Sequence, residues 1–376
     1  MSQEQAASTV TPPAAPVAAI TWADPERERA FSAWLGALAA EHGVKVDTVR
    51  SASADASFRR YFRVDTLVGG QSGTLIVMDA PPSHEDCRPF VAIDRLLAEG
   101  GVGVPRILAW DEAQGFMLLS DLGPLTFLAA LEATDYDHAP ASANRARYLS
   151  AIDELLRLQA VPADGLPPYD DALLQRELDL FPEWYLTQLR GQPLDEPTRQ
   201  TLSQAFALIK AQVLGQGTVL VHRDYHSRNL MADATDAKAR LGVIDFQDAV
   251  RGPVTYDLVS LLRDAYVIWD EDIQLDYAVR YWEKARQAGL PVPPDFGDFW
   301  RDFEWMGLQR HLKVLGIFAR LALRDGKRQY LDDIPRVWTY AHRVASRYQG
   351  LGPLARLLEQ AEAAHGGIQT QVGFTF

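Results

Sequence analysis

Four polar residues lie close together in a loop between two apolar stretches of the sequence. They are His222, Asp224, His226 and Asn229. The apolar runs Val219–Val221 and Leu230-Met231 flank them, and a separate apolar stretch ends in Asp245, sixteen residues after the asparagine. Turn chemistry alone could enrich one loop in polar residues. It does not account for a second carboxylate delivered by another apolar segment, so we interpret the pattern as a reactive site.

The carboxylate and amide oxygens at these positions suit transfer of a phosphoryl group. That reaction needs a carboxylate to orient the attacking hydroxyl and accept its proton, and oxygen ligands to hold Mg²⁺ on the phosphates. Asp224 is the candidate base, and Asn229 and Asp245 are the candidate metal ligands. The spacing equals that of the kinase catalytic loop, H-R-D-x-x-x-x-N. The sequence therefore predicts an enzyme that uses ATP and Mg²⁺.

The pattern His222-x-Asp224-x-His226-x-x-Asn229 resembles the aminoglycoside phosphotransferase and choline kinase superfamily, which has a protein-kinase-like fold. Two later segments are also similar to this superfamily's metal-binding aspartate and the helix that follows it. They are Asp245-Phe246-Gln247-Asp248 with Gly252-Pro253, and Tyr256-Asp257-Leu258. The resemblance implies that Asp245 binds the metal.

Three neighbouring residues have supporting or open roles in this interpretation. Asp257 precedes the apolar run Leu258–Leu262, so we expect it to cap that helix and to brace the loop. His222 is expected to support the loop rather than to act in catalysis. His226 either contacts a phosphate of the nucleotide or hydrogen-bonds to backbone, and the sequence leaves both possibilities open.

Further segments resemble the bacterial anomeric sugar kinases of cell-wall recycling, over about residues 30 to 350. They are Ser53–Arg63, Val77–Pro82, Cys87–Phe90, Gln175–Leu178, Leu180-Phe181, Trp184-Tyr185, Gln309–Lys313 and Gly316–Phe318. Those enzymes use ATP to phosphorylate N-acetylmuramate and N-acetylglucosamine at the C1 hydroxyl. The resemblance implies the same activity here. A kinase for another small alcohol, such as an aminoglycoside or choline, is the alternative.

The predicted phosphate loop and the strand after it depart from the kinase pattern. Ser53–Ser57 contains small residues in place of glycines, which still allow backbone to approach phosphate, and Ser57 is predicted to contact the nucleotide. The strand Thr74–Met78 has no lysine, because the expected position falls at Met78 or Asp79. Because this lysine is missing, a pseudokinase that binds nucleotide without catalysing transfer is a second alternative.

Three arginines on the preceding strand could supply the missing positive charge. Side chains alternate between the faces of a strand, so Arg59 and Arg63 share one side and Arg60 points to the other. The family resemblance favours Arg60 as the nucleotide-binding residue. A solvated strand edge would also explain the three arginines.

Periodicity and turn signals predict a small β-rich lobe followed by a larger helical lobe. In the first part, the signals are helices at Pro25–His42 and Phe90–Leu97, strands at Ser57–Val64, Thr74–Met78, Arg106–Trp110 and Phe116–Leu119, and turns at Gly69-Gly70 and Gly100-Gly101. In the second part, helices are predicted at Asn144–Gln159, Leu173–Leu189, Pro197–Leu214 and Phe299–Leu323, with short strands at Val219–Val221, Leu230-Met231 and Leu241–Ile244. The fold class is α+β, bilobal and protein-kinase-like, with an antiparallel sheet in the first lobe.

The expected domain boundaries follow from these signals. Residues 1–20 are expected to form a mobile tail, residues 21–120 the nucleotide-binding N-lobe and residues 121–376 the helical C-lobe with the catalytic loop, metal site and substrate pocket. Ligands usually bind in a cleft between lobes. We therefore expect adenine to lie against the connecting segment, at Leu119, Ser120 and Leu122, and His226 to be close to the phosphates.

Four residues of the helical lobe are candidate substrate ligands. Trp184 offers a flat face to a sugar ring, and Glu177 could accept hydrogen bonds from sugar hydroxyls. Arg176 or Arg310 could pair with the lactyl carboxylate of N-acetylmuramate. Packing or surface positions on helices would also explain all four residues.

The composition excludes some functions and leaves others open. A net charge of −13 over 376 residues argues against a non-specific nucleic-acid binder, which needs a basic face. Cys87 is the only cysteine, which excludes an internal disulfide and is compatible with a cytoplasmic location. No signal peptide and no apolar stretch of membrane-spanning length is evident. The predicted partner is a small amino sugar, and the sequence does not indicate the oligomeric state.

Overall fold

The computed structural model describes residues 20–52, 59–132 and 142–363. Contacts between Cα atoms divide these residues into two compact units. The first contains the described residues up to Cys87 together with Arg106–Asp121, and the second contains Arg88–Pro105 and the described residues from Leu122 onward. Within the described ranges, none of the helices has the length and apolar character needed to cross a bilayer.

The first unit is a five-stranded antiparallel sheet with one long helix. Helix α1 spans Pro25–His42; Asp24 caps its first turn, and Gly43 ends it in the left-handed conformation at φ 63°. The strands are β1 Arg50–Ser51, β2 Arg60–Val68, β3 Gln71–Asp79, β4 Ile107–Asp111 and β5 Phe116–Ser120, in the order β1-β2-β3-β5-β4. The predicted hairpin is confirmed, since β2 and β3 pair from Arg60 opposite Asp79 to Val68 opposite Gln71. Gly69 and Gly70 form the turn with positive φ angles of 58° and 83°, which glycine adopts without strain.

Buried apolar side chains alternate with more exposed ones along β2, so the sheet has one apolar face. Buried residues of β2, β3 and β5 pack there against Phe31 and Leu35 of α1. The strand residues are Phe62, Val64, Val77, Phe116 and Leu118. Because the strand period is two, Arg60 and Asp79 belong to this α1-covered face, and Arg63 and Met78 belong to the opposite face.

The second unit is mainly helical. Its helices are α2 Arg88–Glu99, α3 Phe127–Glu132, α4 Ser142–Ala160, α5 Asp171–Leu180, α6 Glu196–Leu214, α7 Tyr256–Leu262, α8 Glu271–Gln287, α9 Phe296–Leu323, α10 Ile334–Arg347 and α11 Gly352–Ala363. Short strands form two antiparallel pairs, β6 Thr218–Val221 with β9 Val250–Pro253, and β7 Leu230–Met231 with β8 Gly242–Val243. The predicted α+β class and the predicted short strands are confirmed.

Two details of the second unit differ from the sequence prediction. The helix predicted over Leu173–Leu189 becomes π-helical from Phe181 onward, because Pro182 has no N–H to continue the α-helical ladder. Helix α2, which we assigned to residues 21–120, groups with the second unit. Its Phe90 ring lies 4.9 Å from that of Phe246, and the Gly103 carbonyl accepts a 2.7 Å hydrogen bond from the Val243 amide.

Candidate active site

A buried carboxylate at the start of α7 fixes the backbone where the catalytic loop leaves β6. Asp257 accepts hydrogen bonds from the amides of His222, at 2.7 Å, and Arg223, at 3.0 Å. Arg223 has a φ of 78°, which a non-glycine residue adopts only when its surroundings hold it there. Asp257 therefore braces the loop as predicted. The predicted cap is wrong, because Thr255 is the N-cap residue of α7 and makes no side-chain capping bond.

His222 is buried and links the loop to the strand that carries Asp245. Its Nδ1 accepts a hydrogen bond from the Asp224 amide at 3.2 Å, and its Nε2 lies 3.0 Å from the carbonyl oxygen of Ile244. These partners require the tautomer with the proton on Nε2, which then donates to Ile244. Since both ring nitrogens are engaged with backbone, the geometry supports the interpretation of His222 as a supporting residue.

Asp224 is the accessible carboxylate of the loop, with 46% of its side chain exposed. Arg310 Nη1 lies 3.6 Å from Asp224 Oδ1 and donates a 3.0 Å hydrogen bond to the Arg223 carbonyl. Desolvation by the surrounding protein opposes ionisation, but the charges of Lys313 and Arg310 outweigh it and hold the pKa of Asp224 well below its ordinary value. The carboxylate is thus ionised at neutral pH and is a weak proton acceptor.

Asn229 and Asp245 are brought together as the sequence predicts. The Asn229 amide nitrogen lies 3.1 Å from the Asp224 carbonyl oxygen and 3.2 Å from Asp245 Oδ2. Asp245 has a φ of 66°, the other positive non-glycine value among the described residues besides Arg223, and Gln247 donates to its Oδ1 at 2.8 Å. One carboxylate and one amide oxygen are hard ligands of the kind that Mg²⁺ uses together with phosphate and water oxygens. The donor set therefore fits the predicted metal.

Glu177, a predicted substrate ligand, is the centre of a buried polar network. Its Oε1 accepts from Arg223 Nη2 at 2.7 Å and Lys313 Nζ at 2.9 Å, and its Oε2 accepts from Tyr169 at 2.6 Å and Gln309 at 3.1 Å. Burial works against ionisation, but the two cations and the tyrosine hold the pKa of Glu177 at about 2. These contacts favour a role in fixing the loop arginine over a role in substrate binding.

The network includes a residue that sequence reasoning missed. Lys313 is buried, and its ammonium group also lies 3.0 Å from the Tyr256 hydroxyl. It follows Arg310 by three residues on α9, so both cations project from one face of the helix. That spacing between two basic residues, within a stretch of the helix that is otherwise largely buried and apolar after Leu312, was the available signal.

The other predicted substrate residues lie in different environments. Arg310 is buried and engages the loop, as described above. Arg176 is exposed on α5, and Trp184 is partly buried in the π-helical segment. Tyr185, next to it, is fully buried and donates to Glu362, which places it in the core.

The predicted nucleotide residues of the first unit are engaged in ion pairs where they are described. Ser57 lies outside the described residues. Arg60 forms a two-pronged ion pair with the buried Asp79, which also accepts two hydrogen bonds from Arg27, at 2.6 and 3.0 Å. The predicted opposite orientation of Arg63 is found: this residue pairs with Asp121 at 2.6 Å, while Arg59 pairs with Glu85 at 3.1 Å. A solvated strand edge therefore does not describe these arginines.

The connecting segment offers backbone groups at one of its three predicted positions. Leu119 is buried within β5. The Ser120 amide already donates to the Arg106 carbonyl at 2.9 Å, and its hydroxyl accepts from the Arg106 amide at 2.8 Å. Among the described residues, the Leu122 amide and carbonyl have no hydrogen-bond partner. Leu122 is thus the position whose backbone is free to read an adenine edge.

His226 lies beside the reactive carboxylate but has little charge to offer a phosphate. Burial lowers the pKa of His226, so the imidazole is neutral at pH 7. Its ring contacts that of Tyr266 with centroids 5.6 Å apart. Its main-chain amide donates to the Asp224 carbonyl at 2.9 Å, whereas its Nδ1 is buried and has no hydrogen-bond partner among the described residues, so the role of the imidazole stays a prediction.

Comparison with known proteins agrees with this geometry. The family described as "APH: Phosphotransferase enzyme family" matches residues 48–293. A Neisseria meningitidis protein named N-acetylmuramate/N-acetylglucosamine kinase is 47% identical over 86% of this chain and 93% of its own length. A Pseudomonas putida protein of the same name is 45% identical over 85% of this chain and 90% of its own.

Solved structures share the fold at low identity. The ADP-bound aminoglycoside phosphotransferase APH(2'')-Ib has a TM-score of 0.53 and 13% identity over 85% of this chain and 99% of that one. The GDP complex of aminoglycoside 2'-phosphotransferase-IIIa has a TM-score of 0.53 and 16% identity over 84% of this chain and 99% of that one. The predicted kinase-like fold is confirmed, and the chain belongs to the APH phosphotransferase enzyme family.

Proposed function

We propose that this protein uses ATP to phosphorylate the C1 hydroxyl of N-acetylmuramate and N-acetylglucosamine. The carrying observation is the convergence of an accessible, ionised Asp224 with Asn229 of the same braced loop and Asp245 of the segment after β8. Relatives that cover most of the chain at 45–48% identity are named for this activity. The reaction takes place where ATP is available, which assigns the protein to the cytoplasm.

Asp224 orients the sugar hydroxyl and receives its proton. The C1 oxygen forms a bond to the γ-phosphorus while the bond from that phosphorus to the β–γ bridging oxygen breaks, which yields ADP and the sugar 1-phosphate. The proton of the hydroxyl passes to Asp224. An anomeric hydroxyl is more acidic than an ordinary alcohol, so a carboxylate whose basicity is reduced by Arg310 and Lys313 still suffices.

Asn229 and Asp245 are the residues that would hold Mg²⁺. The metal, when bound, neutralises charge on the phosphates that the protein alone does not balance. Gln247 orients the Asp245 carboxylate, and Asn229 uses its amide nitrogen on backbone and carboxylate, which turns its oxygen away from those partners. Arg60 and the Leu122 backbone are the proposed contacts for phosphate and adenine, respectively.

Replacing Asp224 tests the proposal most directly. We expect Asp224→Ala to lower kcat by roughly 10³-fold or more with each amino sugar, since the base is lost while binding groups remain. ADP release in a coupled assay, with N-acetylmuramate, N-acetylglucosamine, kanamycin and choline as acceptors, measures the effect. Circular dichroism and the melting temperature of the variant show whether folding is kept.

The same acceptor panel separates the alternatives. Turnover only with kanamycin or choline would show that the substrate is a cationic alcohol and not one of the two amino sugars. Nucleotide binding without turnover of any acceptor would indicate a pseudokinase, which the absence of lysine from β3 favours. Unchanged turnover in Asp224→Ala would remove the assigned base.

A further inference from the structure

The catalytic loop carries an exposed arginine that the mechanism above does not use. Arg228 lies four residues after Asp224, and its guanidinium carbon stacks 3.7 Å from the centroid of the Tyr266 ring. Within the described residues it forms no ion pair and no hydrogen bond. Arg223, Arg310 and Lys313 around the same loop are each engaged by a carboxylate or a carbonyl. Arg228 is therefore a cation with no internal partner beyond its aromatic platform.

A single buried carboxylate fixes both the loop and that platform. Asp264 Oδ2 accepts from the Ser227 amide at 3.0 Å, and its Oδ1 accepts from the Tyr266 amide at 3.1 Å. The residue before Arg228 and the residue under its guanidinium are thus tied to one side chain. On its other sides the Tyr266 ring meets His226, at 5.6 Å, and Phe318, at 6.3 Å between centroids. The cation is held in position before any ligand arrives.

Two successive tight turns keep Arg228 near the reactive carboxylate. The His226 amide donates to the Asp224 carbonyl at 2.9 Å, and the Asn229 amide donates to the His226 carbonyl at 2.9 Å. These bonds fold residues 224–229 into a compact loop instead of an extended segment. A substrate whose C1 hydroxyl reaches Asp224 therefore brings its O3 substituent, two ring carbons away, near this part of the chain.

The two proposed substrates differ by one group of opposite charge to Arg228. N-acetylmuramate is N-acetylglucosamine with a lactyl ether on O3, and that ether ends in a carboxylate. A guanidinium recognises a carboxylate with two parallel hydrogen bonds from its planar edge. Stacking on Tyr266 covers the face of the guanidinium and leaves this edge available, at little further cost in side-chain entropy.

We propose that Arg228 is the residue that recognises the lactyl carboxylate of N-acetylmuramate and so determines the preference between the two sugars. This inference rests on the proposed function. It assigns to Arg228 the role for which the sequence had suggested Arg176 or Arg310. Arg310 is buried and engaged with the loop, and Arg176 is exposed on α5, where no hydrogen bond or ion pair from the described part of the chain holds its side chain.

The test is Arg228→Gln, with steady-state kinetics on both sugars. We expect kcat/KM for N-acetylmuramate to fall roughly 10- to 100-fold, mainly through KM, because a charged hydrogen-bonded pair is lost. We expect kcat/KM for N-acetylglucosamine to stay within about threefold, because that sugar has no carboxylate. Arg228→Lys keeps the charge but not the planar fork, and should recover part of the loss.

Matched variants separate this outcome from its rivals. Arg199→Gln changes an exposed arginine on α6 and should leave both sugars unaffected. Equal losses on both sugars in Arg228→Gln, or a selective loss in Arg176→Gln instead, would overturn the assignment. Failure of the unmodified protein to phosphorylate either sugar would refute the proposed function itself, which the same assay shows before any variant is made.

Discussion

Each unit of the molecule contains a buried carboxylate that is held between two cations and can be compared with one in the other unit. In the Asp79 cluster, Arg27 and Arg60 bind Asp79 at the end of β3. In the Glu177 cluster, Arg223 and Lys313 bind Glu177 behind the catalytic loop. Both clusters have one more positive than negative charge. They differ in how much of this excess positive charge is stabilised by water and by additional hydrogen bonds.

The nearly complete burial of one cation, Lys313, distinguishes the two clusters. The side chains of Arg27 and Arg60 are 16% and 33% exposed, so solvent screens part of their charge. Lys313 is 7% and Arg223 22% exposed, and Glu177 has two further partners in Tyr169 and Gln309. The Glu177 cluster therefore depends more on its central carboxylate. The comparison shows that two clusters with the same net charge can differ in how much their stability depends on the central carboxylate.

Removing each central carboxylate is the largest perturbation of this comparison. Glu177→Gln leaves the buried Lys313 and the partly buried Arg223 without their counter-charge, and we expect the free energy of unfolding to fall by about 3–5 kcal/mol. Asp79→Asn should cost less, about 1–3 kcal/mol, because neither of its cations is as deeply buried as Lys313. Urea unfolding followed by tryptophan fluorescence measures both changes.

A control for this pair lies on the neighbouring π-helical segment. Glu183 is exposed there, and Glu183→Gln should change stability by less than about 0.5 kcal/mol. A loss in Asp79→Asn equal to or larger than that in Glu177→Gln would refute the idea that cation exposure sets the difference.

Another buried carboxylate, Asp257, sharpens the comparison because it has no cation in ion-pair contact within the described residues. Burial raises the pKa of Asp257 to about 6, although two backbone amides oppose the rise. Glu177 stays ionised at that pH, so protonation loosens the brace on His222 and Arg223 and not the Glu177 cluster. We expect kcat/KM to fall below pH 6, up to about tenfold per pH unit, in an initial-rate pH profile.

The sign of the stability effect distinguishes this loss from acid unfolding. The native pKa of Asp257 lies above the ordinary value of 3.8, so the native state binds more protons than the unfolded state between about pH 4 and 6. The contribution of this group to stability is therefore greatest at low pH and is lost as pH rises through about 6. Melting temperatures should not fall with the activity between pH 7 and 5.5. In Asp257→Asn the fall of kcat/KM below pH 6 should disappear. A fall that keeps the same midpoint in this variant would mean that another group causes it.

Local signals explain how much could be predicted from the sequence. The bounds of α1, the Gly69-Gly70 hairpin and the loop from His222 to Asn229 all follow from neighbouring residues, and all are found. The ion pairs of the central carboxylates could not be predicted because the partners are distant: Arg27 is 52 residues from Asp79, and Lys313 is 136 residues from Glu177. A carboxylate in the sequence reveals its charge but not its counter-ion.

The same limit applies to π-helical geometry and to the grouping of α2. Pro182 signals an interruption of a helix but does not indicate that the chain continues in a wider turn. Phe90 reads as an ordinary apolar helix residue, whereas its packing on Phe246 depends on a segment more than 150 residues later. Such information exists only once the tertiary packing is known.

The smallest expected effect concerns the excess positive charge of the Asp79 cluster. Arg60 is the first residue of β2, directly after the predicted phosphate loop, and is the more exposed of the two arginines. We propose that it supplies the charge usually given by a β3 lysine. Arg60→Gln should then raise KM for ATP by roughly tenfold with little change in kcat. Initial rates over a range of ATP concentrations measure this effect.

Arg27→Gln is the matched control, because it removes the other guanidinium from the same carboxylate. It should leave KM for ATP within about twofold, since Arg27 comes from α1, where it pairs with Asp79 and stacks on the Phe116 ring. Equal increases in KM for both variants would mean that the ion pairs of Asp79 affect ATP binding indirectly, through the structure of the sheet. Neither arginine would then contact phosphate. An increase confined to Arg63→Gln would transfer the role to the opposite face, which Arg63 shares with Met78. The Asp79 cluster would then have a structural role only. In that respect it would resemble the Glu177 cluster, although its cations are on average more exposed.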